Sequence, residues 1–255
     1  MDKLSIMGVR IDNKSMNEVM DIIKKKIADK KQYIIFTPNT EIVMMCQKDK
    51  EFMDLMNKSD INTPDGVGLI YASKIKKNPL KEKVAGYDLS VNLLELANEQ
   101  GLKLFVVGGK PGVAEEAMKN VSSKYPNVKI MGAQHGYFKG THLGQNGHEE
   151  ELKVLEEINI TEPDILFVGF GAKKQEQWID YNKDKINAKI IIGNGGTLDG
   201  LAGYVKRAPE IYIKLGLEWF YRLMKEPKRI KRQILLPMFM FKVLFGNKNI
   251  VKKIS

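Results

Sequence analysis

Cysteine is almost absent: Cys46 is the only one in 255 residues, which excludes an intrachain disulfide framework and fits a protein kept in a reducing cytoplasm. The start of the chain lacks the basic, apolar and small-residue succession of a secretory leader, and this points to the same compartment. No apolar run reaches the roughly 20 residues that a spanning helix needs. The most apolar stretch, Ile234 to Phe245, is interrupted by Pro237 and Lys242, so the chain is expected to sit on a bilayer and not to cross it. Histidine is scarce as well. His135, His142 and His148 share a glycine-rich stretch without cysteine or a compact carboxylate group, which makes a metal site there improbable, and they are assigned no role. Neither a Walker sequence nor a G-x-G-x-x-G fingerprint occurs, which argues against nucleoside-triphosphate hydrolysis and dinucleotide binding.

What is present is unevenly distributed. Residues 1–205 carry 28 Lys and Arg against 28 Asp and Glu, whereas residues 206–255 carry 13 against 3. The whole net charge of +10 therefore belongs to the last fifty residues, as suits a polyanionic partner. Two parts are expected: a catalytic core over 1–205 and a helical, basic, amphipathic appendage over 206–255.

In the first part short apolar runs alternate with amphipathic stretches. Strands are expected at Ser5–Ile11, Tyr33–Phe36, Leu102–Val107, Val128–Met131, Asp164–Val168 and Lys189–Ile192, with helices such as Ser15–Ala28 between them. This is the pattern of an α/β domain with a mainly parallel sheet, in which ligands bind beyond the carboxyl ends of the strands.

Four strand ends are rich in Gly, Pro, Asn and Asp. Thr37-Pro38-Asn39 follows one, and Thr63-Pro64-Asp65-Gly66 another. Gly108-Gly109-Lys110-Pro111-Gly112 has the mechanics of a phosphate cradle: glycines let backbone approach an anion, and Pro111 suits a helix start. Gly193-Asn194-Gly195-Gly196-Thr197-Leu198-Asp199 closes the series. Asp65, between Pro64 and Gly66, has a natural seat for a general base, although Pro-Asp-Gly is also a common turn sequence. Gln175 and Glu176 are expected in the first turn of a helix after Gly169-Phe170-Gly171, facing the same ligand edge; Glu176 would equally serve as an ordinary first-turn acid.

The second part reads as an interfacial anchor. Glu210, Lys214, Glu218, Arg222 and Lys225 form one narrow polar stripe on an otherwise apolar helix over Pro209–Lys225. A basic cluster and the apolar stretch from Ile234 follow, a composition with which headgroup attraction and acyl burial add.

In order along the chain, Thr37-Pro38-Asn39, Pro64-Asp65-Gly66, Gly86-Tyr87-Asp88-Leu89, Gly108-Gly109, Lys174-Gln175-Glu176, Gly195-Gly196-Thr197, Lys206-Arg207-Ala208-Pro209 and Leu217-Glu218-Trp219 resemble the WecG/TagA/CpsF glycosyltransferases. The resemblance spans essentially the whole chain, and it reverses the local preference for a plain turn at Asp65. It implies an inverting, metal-independent transferase with a Rossmann-like core and without a cofactor, in which Asp65 is the base and Thr37, Asn39 and Gln175 line the pocket. Lys83 stands where the family usually has Arg, and an ammonium is only a point charge for a phosphate.

The teichoic-acid branch of the family implies transfer of N-acetylmannosamine from UDP-N-acetylmannosamine to undecaprenyl-diphosphate-linked N-acetylglucosamine. Another UDP-hexose or N-acetylmannosaminuronic acid is the alternative donor. Asn39, Lys83, Gly108, Gly109, Pro111, Gly112, Glu176, Gly195, Gly196, Asp199 and Arg207 are expected to bind substrate. No Asp-x-Asp pair for a diphosphate-bound metal ion occurs, so Arg222, Arg229 and Arg232 are expected to gather over the pocket and fork onto a diphosphate. The partner surface is read as the anionic inner face of the cell membrane, since apolar residues interleave with the charges and disfavour nucleic acid. A homo-oligomer is compatible with the pattern, and a dinucleotide-dependent oxidoreductase is the rival from another enzyme class.

Overall fold

The computed structural model describes residues 3–227 and 230–254. It opens with β1 (Lys3–Ile6) and β2 (Val9–Asp12), followed by α1 (Met16–Ala28), β3 (Tyr33–Phe36), α2 (Thr40–Cys46), α3 (Lys50–Asn57), β4 (Ile61–Asn62), α4 (Val67–Ile75) and α5 (Gly86–Gln100). Then come β5 (Lys103–Gly108), α6 (Val113–Lys124), β6 (Lys129–Gln134), α7 (Glu149–Thr161), β7 (Ile165–Gly169), α8 (Lys174–Asn182), β8 (Ile190–Gly193) and α9 (Thr197–Leu201). The tail holds α10 (Glu210–Lys214), α11 (Glu218–Lys225), α12 (Ile230–Gln233), α13 (Leu235–Phe245) and β9 (Val251–Ile254).

Six strands form one parallel sheet in the order β4-β3-β8-β7-β5-β6. Successive residues of its inner strands face opposite sides. Leu166 and Val168 of β7 belong to one apolar core, together with Phe105 and Val107 of β5, while Ile165 and Phe167 belong to the other, with Leu104 and Val106. A sheet buried on both faces reads as the continuous apolar runs seen in the sequence. This is the expected Rossmann-like α/β architecture. The chain leaves β5 toward β6 on one side and β7 toward β8 on the other, so the carboxyl ends of β5 and β7 flank a topological switch point.

Three expectations are corrected. Ser5–Ile11 is not one strand: Met7 (φ 49°) and Gly8 (φ 88°) make a two-residue turn between β1 and β2, the left-handed pair that hairpins favour. The apolar alternation continues through this turn and hides it. Second, β5, β7 and β8 each run one residue further than expected and end on Gly108, Gly169 and Gly193. Gly108 still pairs with Gly169, and Val168 with Gly193, so the glycines belong to the ladder as well as to the loops. Third, Pro209–Lys225 is two helices, broken at Gly216, whose φ of +70° an α-helix cannot hold. The expected helix over Ser15–Ala28 is α1, capped by Ser15 with Glu18 closing a capping box.

The tail returns to the beginning of the chain. β9 adds to β1 antiparallel, Lys3 opposite Ile254 and Ile6 opposite Val251, in a three-stranded sheet of order β2-β1-β9. Phe239 and Val243 of α13 and Val251 of β9 are fully buried in the same core as Phe36, Leu166 and Trp178.

Candidate active site

The residues that resemble the family's pocket converge along the carboxyl edge of the parallel sheet. β4 leads into Thr63-Pro64-Asp65-Gly66. The Thr63 hydroxyl donates to the carbonyl of Val84 (3.1 Å), and the Val84 N–H donates to the carbonyl of Pro64 (2.9 Å). This two-way tie lays residues 84–86 beside Asp65. The Asp65 N–H is held by the Pro38 carbonyl (3.0 Å), and its Oδ2 accepts the N–H of Gly86 at 3.3 Å. Gly66 follows with φ +100°, a conformation that side chains rarely adopt, and turns the chain into α4.

Asp65 is half-buried. Burial pushes its carboxyl up to about 6, and the negative charge of Glu218 adds to the shift. The Gly86 N–H, Lys83 and Arg222 oppose it. Glu218 lies between the two cations, 3.8 Å from Lys83 and 2.5 Å from Arg222. Asp65 thus combines raised proton affinity with the electrostatic influence of two positive charges, one of them delivered by the tail.

Thr37 and Asn39 lie next to it at the end of β3. A Cβ on Gly86 would stand 2.9 Å from the Thr37 hydroxyl, so glycine permits that approach, whereas one on Gly66 would stand at an ordinary contact distance of 3.8 Å from Asn39 Cβ. Asn39 also works structurally, its Oδ1 accepting the Ile42 N–H at the start of α2 (3.0 Å).

One strand further along the edge, the buried Asn194 accepts the Ser90 hydroxyl (2.9 Å), which in turn touches the Gly86 carbonyl (2.6 Å). Gln175 packs over this strand end: a Cβ on Gly193 or Gly195 would lie 2.9 Å from its amide. Gln175 Oε1 and Asn194 Nδ2 are both buried without a protein partner, leaving one free acceptor and one free donor beside the pocket.

Other expectations fare differently. Glu176 does not face the ligand edge. It is enclosed behind Gln175, accepting from Gln175 Nε2 (2.8 Å) and from the Lys173 N–H (2.6 Å), and burial pushes it up to about 7. It orients Gln175 by taking its amide nitrogen. Gly108 and Gly109 reach the switch point, where Gly109 donates to the Gly169 carbonyl (2.9 Å), while Pro111 and Gly112 are exposed at the start of α6. Gly195 is half-buried and Gly196 exposed; Asp199 lies on α9. Arg207 pairs with Asp88 and covers the Tyr87 ring, with Asp88 in the first turn of α5. Arg229 lies outside the described residues, as does the side chain of Arg232. His142 is a packing residue, stacked on Phe170 with ring centroids 4.1 Å apart. No group of three or more His, Cys, Asp or Glu side chains suited to a metal ion occurs among the described residues.

The site thus has a carboxyl of raised proton affinity, cations and free amide groups where a parallel sheet receives ligands. Comparison with known proteins agrees: the model of the glycosyl transferase WecG/TagA/CpsF family matches residues 4–252. The chain belongs to this family. It is a glycosyltransferase, and the family's strand-end blocks are those that build the pocket. It is 34% identical over 238 residues to the N-acetylglucosaminyldiphosphoundecaprenol N-acetyl-beta-D-mannosaminyltransferase of Bacillus subtilis (strain 168), covering 93% of this chain and 89% of that one. The Staphylococcus aureus (strain MRSA252) protein of the same description is 33% identical over 252 residues, or 98% and 95% of the two chains.

Glu218, Gly86, Ser90 and Asn194 complete the glycosyltransferase pocket without having been expected there. Glu218, Gly86 and Asn194 stand in segments already notable in the sequence, but their sequence neighbours gave no sign of which group each would meet. Ser90 carries no sequence signal at all.

Proposed function

We propose that the chain transfers N-acetylmannosamine from UDP-N-acetylmannosamine to undecaprenyl-diphosphate-linked N-acetylglucosamine, with inversion and without a metal ion. The observation that carries the transfer step is the Asp65 carboxyl, tied beside Gly86 and raised to about 6 by burial within the field of Lys83 and the tail's Arg222, and the description of the relatives supports the sugar and the acceptor. Near neutral pH it is ionised, yet more basic than an ordinary aspartate. It removes the proton of the acceptor hydroxyl as that oxygen attacks the anomeric carbon, and a single displacement inverts the centre.

The bond to the UDP oxygen breaks in the same step, and negative charge grows on the leaving diphosphate. Arg222 and Lys83 meet that charge as it exchanges with the Glu218 carboxylate that holds them otherwise, joined by Arg229 and Arg232. The absence of any Asp-x-Asp pair supports leaving-group stabilisation by side chains.

In this reading residues 1–205 are the catalytic core, and residues 206–255 complete the pocket and hold the enzyme on the inner face of the membrane. No helix among the described residues is long and apolar enough to cross a membrane. Phe220, Met224, Ile230, Ile234, Phe241 and Phe245 are exposed, in a segment whose sequence also carries the basic cluster, which supports attachment at an anionic surface.

The test is product analysis with a short-chain lipid-diphosphate-N-acetylglucosamine acceptor and a panel of UDP-sugars, with and without EDTA. N-acetylmannosamine is expected to be transferred, with little change on chelation. Preferential transfer of another sugar, or full loss with EDTA restored by Mg²⁺, contradicts the donor or the metal-free step respectively.

A further inference from the structure

Beyond Asp65 the loop continues into α4, and Val67 and Gly68 form one end of a cleft of about 500 Å³. Its walls come from α4, the turn between α10 and α11, α11 itself, and the α12–α13 pair, and they are almost wholly hydrocarbon. Its size lies within the ~300–1,000 Å³ of small-molecule sites.

Two elements turn a dedicated face to it. On α11, Glu218 and Arg222 pair with each other and act electrostatically on Asp65, while Trp219 and Leu223, each one residue on, line the cleft. A step of one residue rotates a helix by about 100°, so a charged stripe and an apolar stripe run side by side from the catalytic pocket outward. α13 carries three faces: Phe239 and Val243 fill the core, Phe241 and Phe245 are exposed, and Leu236 and Met240 line the cleft. Met240 also packs against the core, whereas Leu236 lies over Gly68 at the cleft wall.

We propose that this cleft is the subsite for the first isoprene units of the acceptor's polyprenyl chain; the proposal rests on the acceptor reading above. The ligand must join a group that reacts at Asp65 to a hydrocarbon chain that enters a cleft starting at Val67, immediately beside it. A polyprenyl diphosphate has that connectivity. A phospholipid has a glycerol unit between phosphate and acyl chain, and nothing that would bring it to the base. The volume admits the proximal units only, and the rest of the chain stays in the bilayer, which the exposed lining residues Ile230 and Ile234 approach.

The test compares two N-acetylglucosamine-diphosphate acceptors in detergent, one with a single short alkyl group and one with several isoprene units. Wild type is expected to prefer the polyprenyl acceptor in kcat/KM. Met240→Trp and Leu236→Gln, which fill or polarise the cleft, are expected to lower that preference about tenfold or more. An unchanged ratio in both variants overturns the proposal. Asp65→Asn is expected to slow transfer to both acceptors alike, so failure of the base assignment is distinguishable from failure of the cleft. Photolabelling of the wild-type enzyme with a polyprenyl diphosphate bearing a diazirine on its second unit is independent of any variant's folding. Labels within residues 67–71, 215–223 or 230–240 support the subsite. Labels elsewhere, or labelling abolished by excess phospholipid, contradict it.

Discussion

Asp65 and Glu176 are both carboxyls raised by burial, to about 6 and about 7, but only Asp65 is open to a substrate. For each, the folded protein binds a proton more tightly than the unfolded chain, whose carboxyls titrate near 4. The stability they contribute is therefore full below about pH 4 and is lost as pH rises through 6 to 7. Asp65→Asn removes one such charge penalty, so its melting temperature is expected to match or exceed that of wild type at pH 8, with the advantage fading by pH 5. A lower melting temperature at pH 8 would show that Asp65 holds the fold together. Glu176→Ala is expected to act through Gln175: it frees the amide and leaves the Lys173 N–H, on a residue with φ +71°, without its acceptor. A fall in kcat/KM of about tenfold, partly restored in Glu176→Gln, checks this positioning role; equal losses in both variants contradict it.

At the scale of elements, glycine marks the edge where strands become loops, and individual glycines do different work. Gly108 has φ +142°, and a Cβ there would lie 2.4 Å from the Gly169 carbonyl oxygen, so Gly108→Ala must part β5 from β7. Gly112 has φ +87° but open space around it, so Gly112→Ala meets only the backbone cost of about 1–2 kcal/mol. Thermal melts are expected to show a far larger loss for the first. Comparable losses would mean that the switch point is looser than drawn.

The sequence made the strands and α1 readable because apolar period and a capping box are local signals. The turn at Met7-Gly8 and the break at Gly216 escaped because apolar residues continue on both sides of each. In the site, Asp65 was locally indistinguishable from a plain turn, and only the order of many short blocks along the chain singled it out. The enclosure of Glu176, and the ion pairs of Glu218 with Lys83 and Arg222, depend on contacts between distant segments, which no local pattern encodes.

For the whole molecule, the tail is both partner and part of the fold. It supplies Arg222 to the pocket, buries Phe239, Val243 and Val251, and closes the small sheet through β9. Ending the chain after Val205 is expected to leave a folded core, as the balanced charge and complete parallel sheet of residues 1–205 suggest. That core should melt about 10 °C or more lower, since three fully buried side chains are lost, each worth up to about 1.5–3 kcal/mol. A chain without a cooperative melt would show that the two parts fold only together.

The central claim is that Asp65 is the base of the transfer. It is tested most directly by kcat/KM from pH 5 to 8 with a water-soluble acceptor, for which membrane attachment is immaterial. Wild type is expected to lose activity as pH falls through about 6, as Asp65 takes up its proton. Asp65→Asn is expected to be lower by about 10²–10⁴-fold and to lack that limb. A variant within a few-fold of wild type that keeps the same acidic limb would contradict the account.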